Sequence, residues 1–159
     1  MNFLLIAHES LDLSPFHDID IQWYIKDRVI NPKFYLNQDK KDIIKDSAIV
    51  FLFYDPNNLT TVFYLKKWLK SYYGIIPASA EVNMISINYE KSPEINDLSK
   101  IYFTVHLNTI RNAKDFIDIA KKASLMYLEY IDWRNPKKTP GLSVKQDRRY
   151  SCNIFAPWV

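Results

Sequence analysis

Two continuous apolar runs, Phe3-Leu4-Leu5-Ile6-Ala7 and Ile49-Val50-Phe51-Leu52-Phe53, constrain this chain more than any other feature. A strand with one wet face alternates apolar and polar residues, because successive side chains point to opposite sides. A run of five apolar residues leaves no wet face. It suits a strand covered on both sides, as in parallel sheets sandwiched between helices. Lys33 to Leu36 reads as a short strand, and Val82 to Tyr89 and Ile101 to Leu107 alternate and are rich in β-formers.

Helical patterns separate these strands. In 60–73, Val62, Leu65, Trp68/Leu69 and Tyr72 recur at helical spacing, and Gly74 stands where a C-cap is favoured. In 114–131, Phe116, Ile119/Ala120, Ala123, Tyr127 and Tyr130 make one stripe, with Asn112 or Asp115 as the cap. Residues 18–30 fit a helix through Ile21, Tyr24/Ile25 and Val29, and Asp39 to Asp46 fits a short one. Residues 91–100 read as turn-like. Strands alternating with helices predict βαβ units with right-handed crossovers. The expected fold is three-layer α/β, doubly wound and flavodoxin-like, with a five-stranded, mainly parallel sheet.

The character changes at Trp133. Asn135-Pro136, Thr139-Pro140-Gly141 and Ala156-Pro157 break any helix. The chain therefore divides into an α/β domain, 1–132, and a basic, aromatic C-terminal arm, 133–159. Residues 134–149 hold six cations against Asp147, whereas residues 1–25 hold Glu9, Asp12, Asp18 and Asp20 and no cation. The net charge of +3 thus belongs to the arm. Two readings of the arm stay open: it packs back over its own domain, or it binds a protein partner or a second copy. A nucleic-acid partner is a further expectation. Lys137, Lys138, Lys145, Arg148 and Arg149 would pair with phosphates and aromatics such as Trp158 would stack on bases.

Other classes are excluded or set aside. The only glycines, Gly74 and Gly141, exclude every glycine-dependent phosphate loop. The single Cys152 excludes an internal disulfide and a Cys-rich zinc site. No apolar run is long enough to span a bilayer, and no basic region precedes the first apolar run, so a cytoplasmic location is expected. His8, His17 and His106 show no metal-ligand spacing.

In open α/β sheets, ligands bind beyond the carboxyl ends of the strands, where strand order reverses. His8, Glu9 and Ser10 follow the first strand. Tyr54 to Asn58 follow the third, Asn88, Tyr89 and Glu90 the fourth, and His106 and Asn108 lie near the end of the fifth. Glu9 and Asp55, with the Asn57 amide nearby, form a candidate site for a hard cation such as Mg²⁺. Alternatively, Asp55-Pro56-Asn57-Asn58 is turn chemistry and Glu9 a solvated loop residue.

This pattern resembles a response-regulator receiver domain over about residues 1–130. Ala7-His8-Glu9 falls at the family's acidic site, Tyr54-Asp55-Pro56 at its phospho-acceptor and Ser86 at its hydroxyl position. Val105 or His106 stands where the family has lysine. The resemblance implies a degenerate, non-catalytic signalling module that acts by contact, with Glu9, Asp55, Ser86, His8, Asn57 and His106 as candidate site residues. A second stretch, Ser47-Ala48-Ile49-Val50-Phe51-Leu52 followed by Pro56 to Leu65, is similar to the central part of Toll/interleukin-receptor (TIR) domains. That family's NAD-cleaving members place a glutamate in the next helix, where this chain reads Leu65-Lys66-Lys67-Trp68. This resemblance implies NAD cleavage or, lacking the acid, nucleotide binding or an adaptor role.

Overall fold

A computed structural model describes residues 1–17, 22–88 and 105–134. The central sheet holds β1 (Asn2–Ile6), β4 (Lys33–Leu36), β5 (Ile49–Tyr54), β6 (Glu81–Ser86) and β7 (Val105–Thr109). Its order is β4-β1-β5-β6-β7 and every pairing is parallel. Counted within the sheet, this is order 2-1-3-4-5, the flavodoxin-like arrangement expected of the sequence. The two apolar runs lie side by side, with Phe3 opposite Ile49 and Leu5 opposite Phe51. All six residues of β5 are buried.

Each sheet face carries its own core. Phe3, Leu5, Phe51, Phe53 and Ile85 meet Phe116, Ala120 and Ala123 of the final helix, α4 (Ala113–Trp133). Phe116 is fully buried, with ring centroids 4.9 Å from Phe51 and 5.6 Å from Phe53. On the other face, Leu4, Ile6, Val50, Leu52 and Met84 pack against Ile44 of α2 (Lys41–Lys45). Val62, Leu65, Trp68 and Leu69 of α3 (Leu59–Tyr72) complete that layer. Fully burying an aliphatic or aromatic side chain contributes about 1.5–3 kcal/mol. The sandwich is held from both sides by such terms. Among the described residues, no helix is long and apolar enough to cross a membrane.

The helix expected over 18–30 is not formed by residues 22–30, and 18–21 lie outside the described residues. From Trp23 the chain forms a hairpin of β2 (Trp23–Ile25) and β3 (Arg28–Ile30). Lys26 and Asp27 both take positive φ, 50° and 67°. That is the conformation of a tight two-residue hairpin turn. Trp23, Ile25 and Ile30 point into the same core that Phe16 of α1 (Ser14–His17) packs against, while Tyr24 and Val29 face solvent. Ion pairs from Lys26 to Glu129 (3.5 Å) and from Arg28 to Asp132 (2.7 Å) tie the hairpin to α4. Ile21, Tyr24/Ile25 and Val29 look helical in spacing, but Trp23, Ile25 and Ile30 are what the core takes up.

Smaller differences follow the caps. Asn58 Oδ1 accepts from Thr60 N–H at 3.2 Å and Asn112 Oδ1 from Asp115 N–H at 3.0 Å, so α3 and α4 begin where side chains satisfy their first amides. Gly74 does not end α3 in a left-handed conformation. The helix tightens into a 3-10 turn, Tyr73–Ile75, and the φ of Gly74 lies outside the left-handed region. The fourth sheet strand stops at Ser86 rather than Tyr89, and the fifth runs to Thr109 rather than Leu107. Residues 101–104, which begin the expected fifth strand, lie outside the described residues, as do 91–100.

Candidate functional site: the carboxyl edge of the sheet

Asp55 follows β5 directly, and the Asp55-Pro56-Asn57-Asn58 segment is a closed turn. Asn58 N–H donates to the Asp55 carbonyl at 3.0 Å, and Asn57 N–H donates to Asp55 Oδ1 at 2.9 Å. The buried Thr61 hydroxyl accepts from Asp55 N–H at 2.9 Å and donates to the Asn58 carbonyl at 2.7 Å. Proline at the turn's second position fixes φ for this path. Asn88 Nδ2 also donates to Asp55 Oδ1. That carboxylate oxygen therefore has two donors, both from the protein.

Ser86 ends β6 opposite Tyr54 and is fully buried. Its hydroxyl accepts from Asn88 N–H at 3.4 Å, so Asn88 links Ser86 and Asp55. Burial pushes the Tyr54 hydroxyl up to about 12. The Ser86 hydroxyl pulls the other way, yet no well-formed hydrogen bond reaches Tyr54 Oη.

His8 and Glu9 follow β1 and lie on the other side of the switch point. Ser10 N–H donates to His8 Nδ1 at 3.1 Å, and the imidazole meets the Tyr64 ring edge-on at 5.6 Å. Glu9 is exposed, and no hydrogen bond or ion pair joins it to Asp55. Among the described residues, no group of three or more His, Cys, Asp and Glu side chains is placed to hold a metal ion. The structure thus groups Asp55, Asn57 and Ser86, and leaves His8 and Glu9 apart from them, with His8 engaged by Ser10 and Tyr64.

His106 belongs to neither group. It is the second residue of β7, opposite Asn83, and its Nε2 lies 3.0 Å from Glu81 Oε2. Glu81 begins β6, so this pair is at the amino end of the sheet. His106 is corrected from a site residue to part of a buried polar cluster under α4, in which Asn108 Nδ2 donates to Asn83 Oδ1 at 3.1 Å. The same register sets which residues of β7 stand opposite Val82 and Ser86. Val105 pairs with Val82, and Thr109 is the residue opposite Ser86. The nearest cation along the chain is the exposed Arg111. Lys137, Lys138, Lys145, Arg148, Arg149 and Trp158 lie outside the described residues, as do Tyr89 and Glu90.

A cleft of about 370 Å³ opens on the His8 side of the edge, where His8 meets the lining residue Tyr64. One wall is aromatic: Tyr64, Trp68 and Tyr72 stand one helical turn apart on α3, with the last two ring centroids 5.3 Å apart. The facing wall is the Asn37-Gln38-Asp39 loop after β4. Asn37 is held firmly. Its Oδ1 accepts from Ala7 N–H at 2.8 Å, its own N–H donates to the Leu5 carbonyl at 2.7 Å, and its φ is 49°. Asparagine tolerates that left-handed backbone better than most residues. Lys67 and Ser71 complete the rim. Burial raises the Tyr64 hydroxyl pKa, and nearby Tyr72, Asp39 and Glu9 add to the rise.

Asn88 was expected at this edge from its place after the fourth strand, whereas nothing in the sequence pointed to Asn37 and Tyr64 as edge residues. The spacing Tyr64, Trp68, Tyr72 was legible but merges with the core stripe of the same helix, and Asn37 follows a strand too short to draw attention. No protein-family model matches this chain, and no curated protein sequence matches it.

Proposed function

We propose that this chain is a non-catalytic binding module of signalling type, which takes a small ligand into the cleft between α3 and the Asn37-Gln38-Asp39 loop. The cleft itself carries this reading. It has the volume of a small-molecule site, apolar rings with a few convergent polar groups, and a position at the carboxyl edge of a doubly wound sheet. The similarity of residues 47–65 to TIR domains supports a ligand that carries a nucleobase. The absence of any acid on α3 supports binding without cleavage. The test is an NMR fragment screen with planar aromatic and aliphatic compounds. Planar fragments are expected to shift the amides of Asn37, Gln38 and Tyr64, and Ser71→Trp, which fills the cleft from an exposed position, is expected to abolish those shifts. Shifts that survive Ser71→Trp, or no shifts at all, would remove the reading.

A second reading rests on a different observation. Glu9, Asp55 and Ser86 stand at the carboxyl ends of β1, β5 and β6, three neighbours in the sheet. That supports a receiver-like module acting by contact, with Asp55 structurally engaged rather than phosphorylated. Mg²⁺ with beryllofluoride is expected to leave the amide spectrum around Asp55 and Asn88 unchanged. A saturable shift there would restore phosphotransfer.

A further inference from the structure

We infer that the cleft selects an unphosphorylated planar heteroaromatic ligand, a nucleobase or nucleoside, over its phosphorylated forms. This rests on the cleft being the binding site, as proposed above.

The polar groups define a ring edge. Asn37 uses Oδ1 as acceptor for Ala7 N–H, which leaves its NH₂ as the donor in the cleft wall. Gln38 uses Nε2 as donor to the Leu36 carbonyl at 3.3 Å, which leaves Oε1 as an acceptor. Both orientations are fixed by the backbone partner, so neither amide can reverse without losing a bond. A donor and an acceptor on consecutive residues complement the donor–acceptor edge of a nucleobase, and Tyr64 with Tyr72 supplies ring faces for stacking.

The surroundings oppose phosphate. Asp39 lines the cleft, and both Asp39 and Glu9 act electrostatically on the Tyr64 hydroxyl. Lys67 is the single cation among the lining residues. No glycine lines the cleft, so the backbone cannot close round a phosphate as glycine-rich loops do. The amino end of α3, the other natural anion site, is capped by Asn58 and does not line the cleft. Among the lining residues a phosphate would find one carboxylate and one ammonium, and so no net attraction.

The test is titration of the full chain with adenosine, guanosine, cytidine and uridine and with their 5′-monophosphates, followed by calorimetry and amide shifts. At least one nucleoside is expected to bind with shifts at Asn37 and Gln38, and its monophosphate at least tenfold more weakly. Asp39→Asn is expected to narrow that gap severalfold. A monophosphate that binds as tightly as its nucleoside overturns the inference and leaves the binding reading standing. Planar fragments that occupy the cleft while no nucleoside does also overturn it. A cleft empty of fragments and nucleosides alike overturns both.

Discussion

His106 and Glu81 meet at 3.0 Å between adjacent parallel strands, both largely buried beneath α4 at the amino end of the sheet. The contact is remote from the carboxyl edge, so its loss is expected to affect stability without disturbing the candidate site. His106→Ala removes a buried ring and leaves Glu81 without this partner, at a cost on the order of 2–3 kcal/mol in urea unfolding. Amide shifts of Asp55, Asn57 and Asn88 are expected to stay where they are in the wild type. Movement of those three would reconnect His106 to the edge.

Tyr54 gives a pH dependence with a definite sign. Its hydroxyl ionises near 10 in the unfolded chain and at about 12 when folded. Between those values the unfolded chain loses a proton that the folded one keeps, so stability is full below pH 10 and falls as pH rises to about 12. Tyr54→Phe removes that loss. It also removes a buried hydroxyl without a hydrogen-bond partner, and is expected to stabilise the protein at pH 7 by about 1 kcal/mol. Urea midpoints from pH 7 to 11 check both points; an unchanged alkaline slope in Tyr54→Phe would contradict the assignment.

The hairpin turn carries backbone strain at two residues that are not glycine. Asp27→Gly is expected to raise stability by roughly 0.5–1 kcal/mol, because a left-handed conformation costs L-residues about that much or more and glycine nothing comparable. Thermal melts suffice. A destabilised variant would mean that the Asp27 side chain contributes more than its backbone costs.

Two phenylalanines should behave in opposite ways. Phe116 is fully buried among Phe16, Phe51 and Phe53, and Phe116→Ala is expected to cost about 3–5 kcal/mol. Phe63 is 52% exposed on α3, and Phe63→Ala is expected to change stability by less than about 0.5 kcal/mol. Equal losses in denaturant unfolding would contradict the two-faced core described above.

What the sequence made legible follows from how local each signal is. The runs at Phe3 and Ile49 suit strands buried on both faces, and two such strands between helical patterns point to a covered parallel sheet. The Asp-Pro-Asn-Asn turn and the Asn112 cap were equally readable, because their chemistry lies within four residues. The hairpin was not. Lys26 is a poor former of that turn and no glycine follows it, and what holds the strands is burial of Trp23 and Ile30 and ion pairs to Glu129 and Asp132, about 100 residues away. His106 was misplaced for a related reason. Alternation does not fix where a strand starts and stops: expected over 101–107, β7 is Val105–Thr109, so His106 is its second residue rather than its last but one. The cleft lay beyond sequence reasoning because one wall belongs to a helix and the other to a loop 25 to 35 residues earlier.

Asn83, His106 and Asn108 also bear on which strand can sit at the rim of the sheet. Among the described residues β7 is outermost, and outer strands are the ones most readily exchanged for a foreign strand. Most of the sheet face toward α4 is apolar and would accept any oily sequence. Beside β6 it presents Asn83 and Glu81, which an apolar intruder would bury without partners. The rim therefore carries a polar password: β7 answers it with His106 and Asn108, and a generic hydrophobic strand from another molecule does not.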